Sequence, residues 1–455
     1  MNRNHHLTVA LLTAVTALPA LAQCTDTELY TFTDPDGSNT LDRFGSAVVI
    51  EGDTAIIGEE GTNRTHIFLE AGGQWRRSDI LYGAEHNVEL FGNDAAFDNE
   101  VLIVGAGVDS DFCNDPNECA TGAALIFRRV NGIWFTQAKL QRPFYLDSFN
   151  QFGHAVDVDR DTAIVGASES VNGVVIPWDY NGQIWIRQDP LEANDGEEGD
   201  SFGRALAIDE DTIVIGAPGD DDNGPQSGSA YVFTRTGGLW SQAAKLQPDD
   251  PQASAFFGSA VAIQGDLIAV GSSGPSDSSP GNVYLFTRNN GTWTQQQQLS
   301  PAGGQVGDGF GTRVEMRNDT IVVSALWDPH AGTRAGAAYL FSNASGTWTE
   351  LAKLVASDAS AEQGFGIEIA LDSQRALIGA YQAFNNGGGA AYLYDPLDPC
   401  PCPPDFNQDG TVNTQDVLAF LNAWSNGDPE ADFNNDGTIN TQDVLAFLNA
   451  WSAGC

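Results

Sequence analysis

Apolar residues along the chain fall into short runs of alternating or β-branched character, separated by Gly- and Asp-rich turns, and the same run returns at nearly constant spacing. A Phe-Gly pair opens each one, at Phe44, Phe91, Phe152, Phe202, Phe257, Phe310 and Phe365, with successive spacings of 47, 61, 50, 55, 53 and 55 residues. The segments FGSAVVIEGDTAIIG, FGHAVDVDRDTAIVGA, FGRALAIDEDTIVIGAP and FGSAVAIQGDLIAVGS each place two strand-like runs around a short polar turn such as Gly52-Asp53 or Glu210-Asp211, the signature of a tight hairpin. A third strand follows a variable loop, as in GSAYVF (Gly228 to Phe233) or GAAYLF (Gly336 to Phe341). A fourth is opened by Trp75, Trp134, Trp185, Trp240, Trp293 or Trp348 and often runs on to Lys-Leu. Seven units of about four strands and about 50 residues predict a mainly β chain, folded as a seven-bladed β-propeller.

The seventh unit, Phe365 to Asp395, supplies three strands and no Trp-led fourth, whereas Thr27 to Gly45 upstream of the first Phe-Gly pair reads like the segments that join other blades. Glu28 to Thr33 is therefore expected to be the outer strand of the last blade, closing the ring. That closure places Cys24 and Cys400 at one end of the blade and predicts a disulfide between them; Cys113 and Cys119, six residues apart in one loop, predict a local one.

Composition narrows the setting. The 455 residues carry 20 Lys+Arg against 61 Asp+Glu, a formal charge of −41, so a basic face for nucleic acid is excluded and anionic membrane surfaces are disfavoured. Arg3 followed by LTVALLTAVTALPALA (Leu7 to Ala22), with Ala20-Leu21-Ala22 at its end, predicts a signal peptide over residues 1–22, an exported propeller over 23–395 and no membrane insertion.

The Phe-Gly openings and the ends of the second strands (Gly105-Ala106, Gly166-Ala167, Gly216-Ala217-Pro218, Gly379-Ala380) resemble the FG-GAP repeats of integrin α-chain head domains and of bacterial secreted propellers, over roughly residues 25 to 396. Integrin-like versions carry calcium loops between the first two strands of several blades; here that connection is too short, as in Val158 to Thr162. The acid-rich Asp220-Asp221-Asp222-Asn223-Gly224 reads as a solvated turn, with a cation site as the alternative.

Composition changes at a Pro-rich linker, 396–404, followed by DFNQDGTVNTQDVLAFLNAW (Asp405 to Trp424) and DFNNDGTINTQDVLAFLNAW (Asp432 to Trp451). Each begins as a 12-residue EF-hand-type loop, in which hard Ca2+ takes oxygens from positions 1, 3, 5, 7 and 12 with Gly at 6. The predicted ligands are Asp405, Asn407, Asp409, Thr411 (carbonyl) and Asp416, then Asp432, Asn434, Asp436, Thr438 (carbonyl) and Asp443, with Asn413 and Asn440 at position 9; two Ca2+ sites follow. Each loop leads into a helix with a broad apolar stripe, Val417, Leu418, Phe420, Leu421 and Trp424, repeated at Val444, Leu445, Phe447, Leu448 and Trp451. A module of about 50 residues has little core of its own, so most of the stripe is expected to be buried between the helices. Cys402 and Cys455 would meet if the helices pack antiparallel.

This duplication over 405–455 resembles a type I dockerin, and its ending Ala453-Gly454-Cys455 resembles the Cys-terminated dockerin-like modules of planctomycete-type secreted proteins. The resemblance implies a cohesin-like or other surface protein as partner, contacted through Thr414, Gln415, Thr441 and Gln442, identical in the two halves. Residues 402–455 contain no Lys or Arg, whereas cellulosomal dockerins commonly use a basic residue on the recognition helix.

His66, His86, His154 and His330 read as unrelated points of the repeat, and no phosphate loop, dinucleotide fingerprint or HExxH is present. The recurring Trp reads as packing, while Trp178 and Trp327 fall outside that position and are the candidates for ligand contact. The sequence thus points to a non-enzymatic, secreted recognition or adhesion propeller, with protein or glycan ligands on its loops, tethered by a Ca2+-dependent module. A lectin-like propeller and a polysaccharide-active hydrolase or lyase using the central face are the alternatives.

Overall fold

The computed structural model describes residues 28–36, 42–109, 122–141, 151–169, 172–274, 279–343, 346–373, 375–381, 388–395, 406, 414–428, 431–433 and 438–453. They divide into two compact units, one within Thr25–Leu397 and one within Asp398–Cys455.

The first unit is seven four-stranded antiparallel sheets. Six are consecutive in the chain, over 44–82, 88–141, 156–187, 205–246, 257–299 and 310–354; the seventh combines three strands within 365–394 with the strand Glu28–Thr33. That closing strand pairs with Ala390–Tyr394 in the register Glu28 to Tyr394 and Phe32 to Ala391. In each blade the first strand lines a central channel and the fourth lies outermost.

Strand character follows position in the blade. The second strand of blade 4, TIVIGA (Thr212–Ala217), is buried along its whole length, because both of its faces are covered by neighbouring blades, and it therefore reads as a continuous apolar run. The outer strand of blade 5, TWTQQQQL (Thr292–Leu299), alternates between exposed and half-buried positions. The core consists of interfaces between successive blades: Val214, Ala230 and Val232 of blade 4 pack against Phe257, Ile268 and Val270 of blade 5.

The repeated Phe-Gly and Gly-Ala pairs are the two halves of that interface. All seven Phe are completely buried, and Phe310, for example, lies edge-on to Tyr339 and Phe341 of its own blade. The following glycine takes a left-handed backbone: Gly258 has φ +90, and a Cβ there would lie 2.3 Å from the Ser229 carbonyl oxygen of the preceding blade. Gly216 closes the contact from the other side, since a Cβ on it would meet the Gly258 carbonyl oxygen at 2.0 Å. The same approach joins Gly379 of blade 7 to the Gly45 carbonyl of blade 1, so the ring closes through the contact that builds it.

The second unit contains two helices, α1 (Thr414–Asn426) and α2 (Thr441–Ala453). Gly427, at φ +73, ends α1 in a Schellman motif, in which Asp428 N–H donates to the Ala423 carbonyl (3.0 Å) and Gly427 N–H to that of Trp424 (3.2 Å). Asn440 caps α2: its Oδ1 accepts from Gln442 N–H (2.8 Å), while Asp443 Oδ2 accepts from Asn440 N–H (2.7 Å). The core centres on the buried Phe420 and Phe447 with Ala423 and Ala431, and five further apolar side chains join Phe406 and Phe433 against it. Phe420 and Phe447 stack at 4.1 Å with Phe406 and Phe433 edge-on around them.

Candidate functional site

The inner strands enclose a channel of about 350 Å³, lined among others by Asp94, Asp157, Arg204, Arg313, Glu315 and Glu368. Its carboxylates stitch neighbouring blades together. Asp94 Oδ2 accepts the Val156 N–H, Asp157 Oδ2 that of Ile208 and Asp159 Oδ2 that of Glu210, each at 2.8 Å, and Asp98 Oδ2 accepts that of Arg160 at 2.7 Å. Each acceptor serves the next blade, where an inner-strand edge would otherwise leave donors unpaired. Burial in the channel pushes Asp157 up to about 7, and burial followed by the charge of Glu368 pushes Asp94 well up. Burial, with Asp157 next, does the same to Glu315, and Arg313 donates from Nε to Glu368 Oε2 at 2.8 Å. His154, contacted by the Arg204 guanidinium, falls to about 4 through burial and that neighbouring charge. Asp94, Asp98, Asp157 and Asp159 thus join successive blades, and the Arg313–Glu368 pair joins blade 6 to blade 7.

A second polar cluster recurs nearer the blade edges. In blade 4, Lys245 Nζ lies 2.8 Å from Asp195, 2.8 Å from Asp220 and 2.5 Å from Asp222, and Tyr231 Oη donates to Asp220 at 2.8 Å. Asp220 is buried against the lysine, while Asp221, Asp222 and Asn223 are exposed, so the run is a solvated turn whose first carboxylate is turned inward. In blade 6, Lys353 and Tyr339 donate to Asp328 at 2.7 and 3.1 Å, with His330 at 3.2 Å. Burial opposes ionisation of Asp328, but His330 and Lys353 hold its carboxyl well below the usual range. Sequence reasoning missed this cluster, although Asp220-Tyr231-Lys245 and Asp328-Tyr339-Lys353 share spacings of 11 and 14 residues.

The repeated Trp pack as expected for structural residues. Arg235 stacks over Trp240 at 4.8 Å while its Nη1 reaches Thr162 Oγ1 of the preceding blade at 3.0 Å, and Arg288 over Trp293 (5.1 Å) repeats the stack. Trp178 lies half-buried against the core between blades 2 and 3 with its indole N–H enclosed. Trp327 is 37% exposed, on the loop after the second strand of blade 6, and its ring covers Gly309.

In the helical unit, Asp416 and Asp443 occupy the first turns of α1 and α2 and are fully buried. Asp432, Thr438 and Asn440 are half-buried or exposed. Asp405, Asn407, Asp409, Thr411, Asn413, Asn434, Asp436 and all six cysteines lie outside the described residues. Eight acidic side chains and no Lys or Arg stand in 405–455, a donor set of hard oxygens that fits Ca2+. Thr414, Gln415, Thr441 and Gln442 are all exposed. The apolar stripe divides: Phe420 and Phe447 are sealed, but Leu418 and Leu445 stay 63% and 62% exposed, and Leu421 and Leu448 38% and 39%. The two helices thus present the same apolar-polar surface twice.

Seven four-stranded blades stitched through their inner strands, with a separate two-helix unit, define a seven-bladed β-propeller protein with a small helical appendage. Residues 185–233, 240–286, 293–341 and 348–394 match the FG-GAP repeat, and residues 403–450 match the dockerin type I domain. The chain is accordingly an FG-GAP propeller carrying a dockerin domain. Each FG-GAP match starts at the outer-strand Trp of one blade and ends in the third strand of the next, so the sequence repeat is offset from the blade by one strand. Dockerin type I domains bind calcium and protein partners, and both kinds of domain are typically non-catalytic and typical of extracellular proteins. No curated protein matches the chain.

Proposed function

We propose that the protein is a secreted recognition propeller, tethered to a cell-surface or extracellular partner by its dockerin domain. Two Ca2+ ions order that domain. One is held by Asp405, Asn407, Asp409, the Thr411 carbonyl and Asp416, with Asn413 beside it; the other is held by Asp432, Asn434, Asp436, the Thr438 carbonyl and Asp443, with Asn440 beside it. The observation that carries the reading is the doubled surface: Leu418 and Leu445 are equally exposed, each next to an identical Thr-Gln pair. A cohesin-like partner can then engage either helix. Apolar side chains ringed by polar ones are the usual make-up of a docking patch. The experiment is capture of envelope and secreted proteins by the immobilised full chain, in Ca2+ and again in a chelator. A cohesin-like protein released by chelation supports the reading, and a set of captured proteins unchanged by chelation refutes it.

Trp327 favours a glycan as the ligand of the propeller itself, because an exposed indole at a blade edge offers a flat face for a sugar ring. Glycan-array binding that survives Trp327→Ala removes that assignment. The boundaries 1–22, 23–395, 396–404 and 405–455, and the disulfides Cys24–Cys400, Cys113–Cys119 and Cys402–Cys455, belong to the same proposal and are checked by peptide mapping of the secreted protein.

A further inference from the structure

Blade 1 differs from blades 4 to 7 at one buried position, which is Leu125 in blade 2 and Ile176 in blade 3. Strand register sets Tyr231 of blade 4 opposite Ile215 and Lys245, and Tyr339 of blade 6 opposite Val323 and Lys353. The same register in blade 1 sets His66 opposite Ile57 and Ile80. The tyrosine has become a histidine and the lysine an isoleucine, so His66 is not an unrelated point of the repeat. The acidic character of the place is retained. Glu59, at the end of the second strand, is fully buried beside His66, and Asp34 approaches from the segment that follows the closing strand.

In blade 4 a lysine ammonium gathers the carboxylates; blade 1 brings together two carboxylates and an imidazole without a lysine there. One oxygen each of Asp34 and Glu59 and one ring nitrogen of His66 lie within 4.8 Å of one another. His66 Nε2 is 3.0 Å from Glu59 Oε2, which matches two donors sharing one ion: at about 2.1 Å from a metal they stand about 3.0–3.4 Å apart. Asp34 Oδ1 accepts from Asp36 N–H at 2.9 Å, and Thr62 Oγ1 donates to Glu59 Oε2 at 2.5 Å. Arg64 Nη1 is nearest in charge, 3.8 Å from Glu59 Oε2, but is drawn equally towards Asp36 at 3.7 Å. Independently, Glu59 Oε1 has no hydrogen-bond partner although its side chain is completely buried, which leaves a second carboxylate oxygen for the same ion. Buried polar atoms are nearly always satisfied, and an exception calls for a missing ion or water.

We propose that Asp34, Glu59 and His66 form a binding site for a divalent transition-metal cation of the Zn2+ class. One nitrogen and two carboxylate donors suit Zn2+ better than Ca2+, which takes oxygens alone. The location gives the ion a task. Asp34 directly follows the strand Glu28–Thr33, which belongs to blade 7, whereas Glu59 and His66 belong to blade 1. An ion shared by the three adds a further tie between the closing strand's exit and the first blade, beside the ion pairs of Asp36 with Arg77 and Arg64. This site is separate from the dockerin loops and does not depend on the docking role.

The test is equilibrium dialysis of the full chain against Zn2+ in excess Ca2+, which keeps the dockerin loops occupied, alongside thermal unfolding. His66→Tyr installs the residue found in blades 4 to 7 and is expected to fold. Wild type is expected to hold one Zn2+ per chain more than His66→Tyr, and to show an unfolding midpoint that rises with Zn2+ while that of the variant does not. Glu59→Gln, which keeps the size and one acceptor, is expected to weaken Zn2+ binding at least about tenfold, since loss of even an outer-shell partner costs that much. Circular dichroism confirms that each variant is folded, and Glu59→Gln carries the test if His66→Tyr does not fold. Zn2+ uptake and midpoint shifts in the folded variants equal to those of wild type overturn the site and leave Glu59 and His66 as a plain hydrogen-bonded pair.

Discussion

Replacing Lys245 with Met removes the cation from the blade 4 cluster while keeping most of the side-chain volume. Of its three partners, Asp195 and Asp222 have side chains 43% and 59% exposed and can turn to water, but Asp220 is 3% exposed and cannot. Asp220 would keep the Tyr231 hydroxyl at 2.8 Å and the Asp222 N–H at 3.2 Å. Removing one member of a buried pair costs about 3–5 kcal/mol, and the two retained hydrogen bonds place Lys245→Met at the lower end, about 3 kcal/mol. Asp222→Asn, which breaks only a solvent-exposed pair, should cost less than about 1 kcal/mol. The pH dependence has a definite sign. Lys245 holds the Asp195 carboxyl below its usual value against the opposing effect of burial, so the stabilisation is present at neutral pH and lost as the pH falls through the carboxylate range. The assay is urea unfolding of wild type and both variants at pH 7 and pH 3, below the ordinary carboxylate value, with midpoints and slopes compared. A pH 7 difference below about 1 kcal/mol refutes the assignment of Lys245 as the charge that permits Asp220 to be buried.

Gly216→Ala forces a Cβ to within 2.0 Å of the Gly258 carbonyl oxygen and should destabilise by about 3 kcal/mol, the upper end for overpacking, whereas Gly238→Ala, with nothing within 4 Å, should cost about 1 kcal/mol through its positive φ alone; urea midpoints distinguish them. Asp157, pushed up to about 7 by burial, binds its proton more tightly folded than unfolded, so it withdraws stability as the pH rises from about 4 to about 7. Asp157→Asn should flatten that slope while keeping the acceptor for Ile208 N–H, and unfolding midpoints across that range show whether it does. Chelation of Ca2+ should expose the helical unit, whose core centres on Phe420, Phe447, Ala423 and Ala431, to proteolysis within 406–453 while the propeller stays intact; mass spectrometry of the fragments reads this directly.

The blades were legible because their signal is local and periodic: a Phe that must be buried, a Gly that must take a positive φ and an apolar second strand recur within each 50-residue unit. The dockerin domain, matched over residues 403–450, was legible for the same reason, as two near-identical units 27 residues apart. What stayed hidden depends on pairs brought together by register. Asp157 meets its Ile208 donor 51 residues away in the next blade. The burial of Asp220 requires a lysine two strands further on. His66 shows its kinship with Tyr231 and Tyr339 only once the third strands are aligned through their partners. The division of the apolar stripe was likewise out of reach, because periodicity marks Leu418 and Phe420 alike and only packing exposes the first while sealing the second.

The central claim is that a Ca2+-ordered module with two equivalent faces tethers the propeller. Its most direct test is binding of the full chain to the cohesin-like partner by surface plasmon resonance, comparing wild type, Leu418→Asp, Leu445→Asp and the double variant, in Ca2+ and in chelator. The account predicts that each single variant still binds through its intact helix, that the double variant does not, and that chelation abolishes binding by all. Binding by the double variant at wild-type strength, or binding indifferent to chelation, would contradict it.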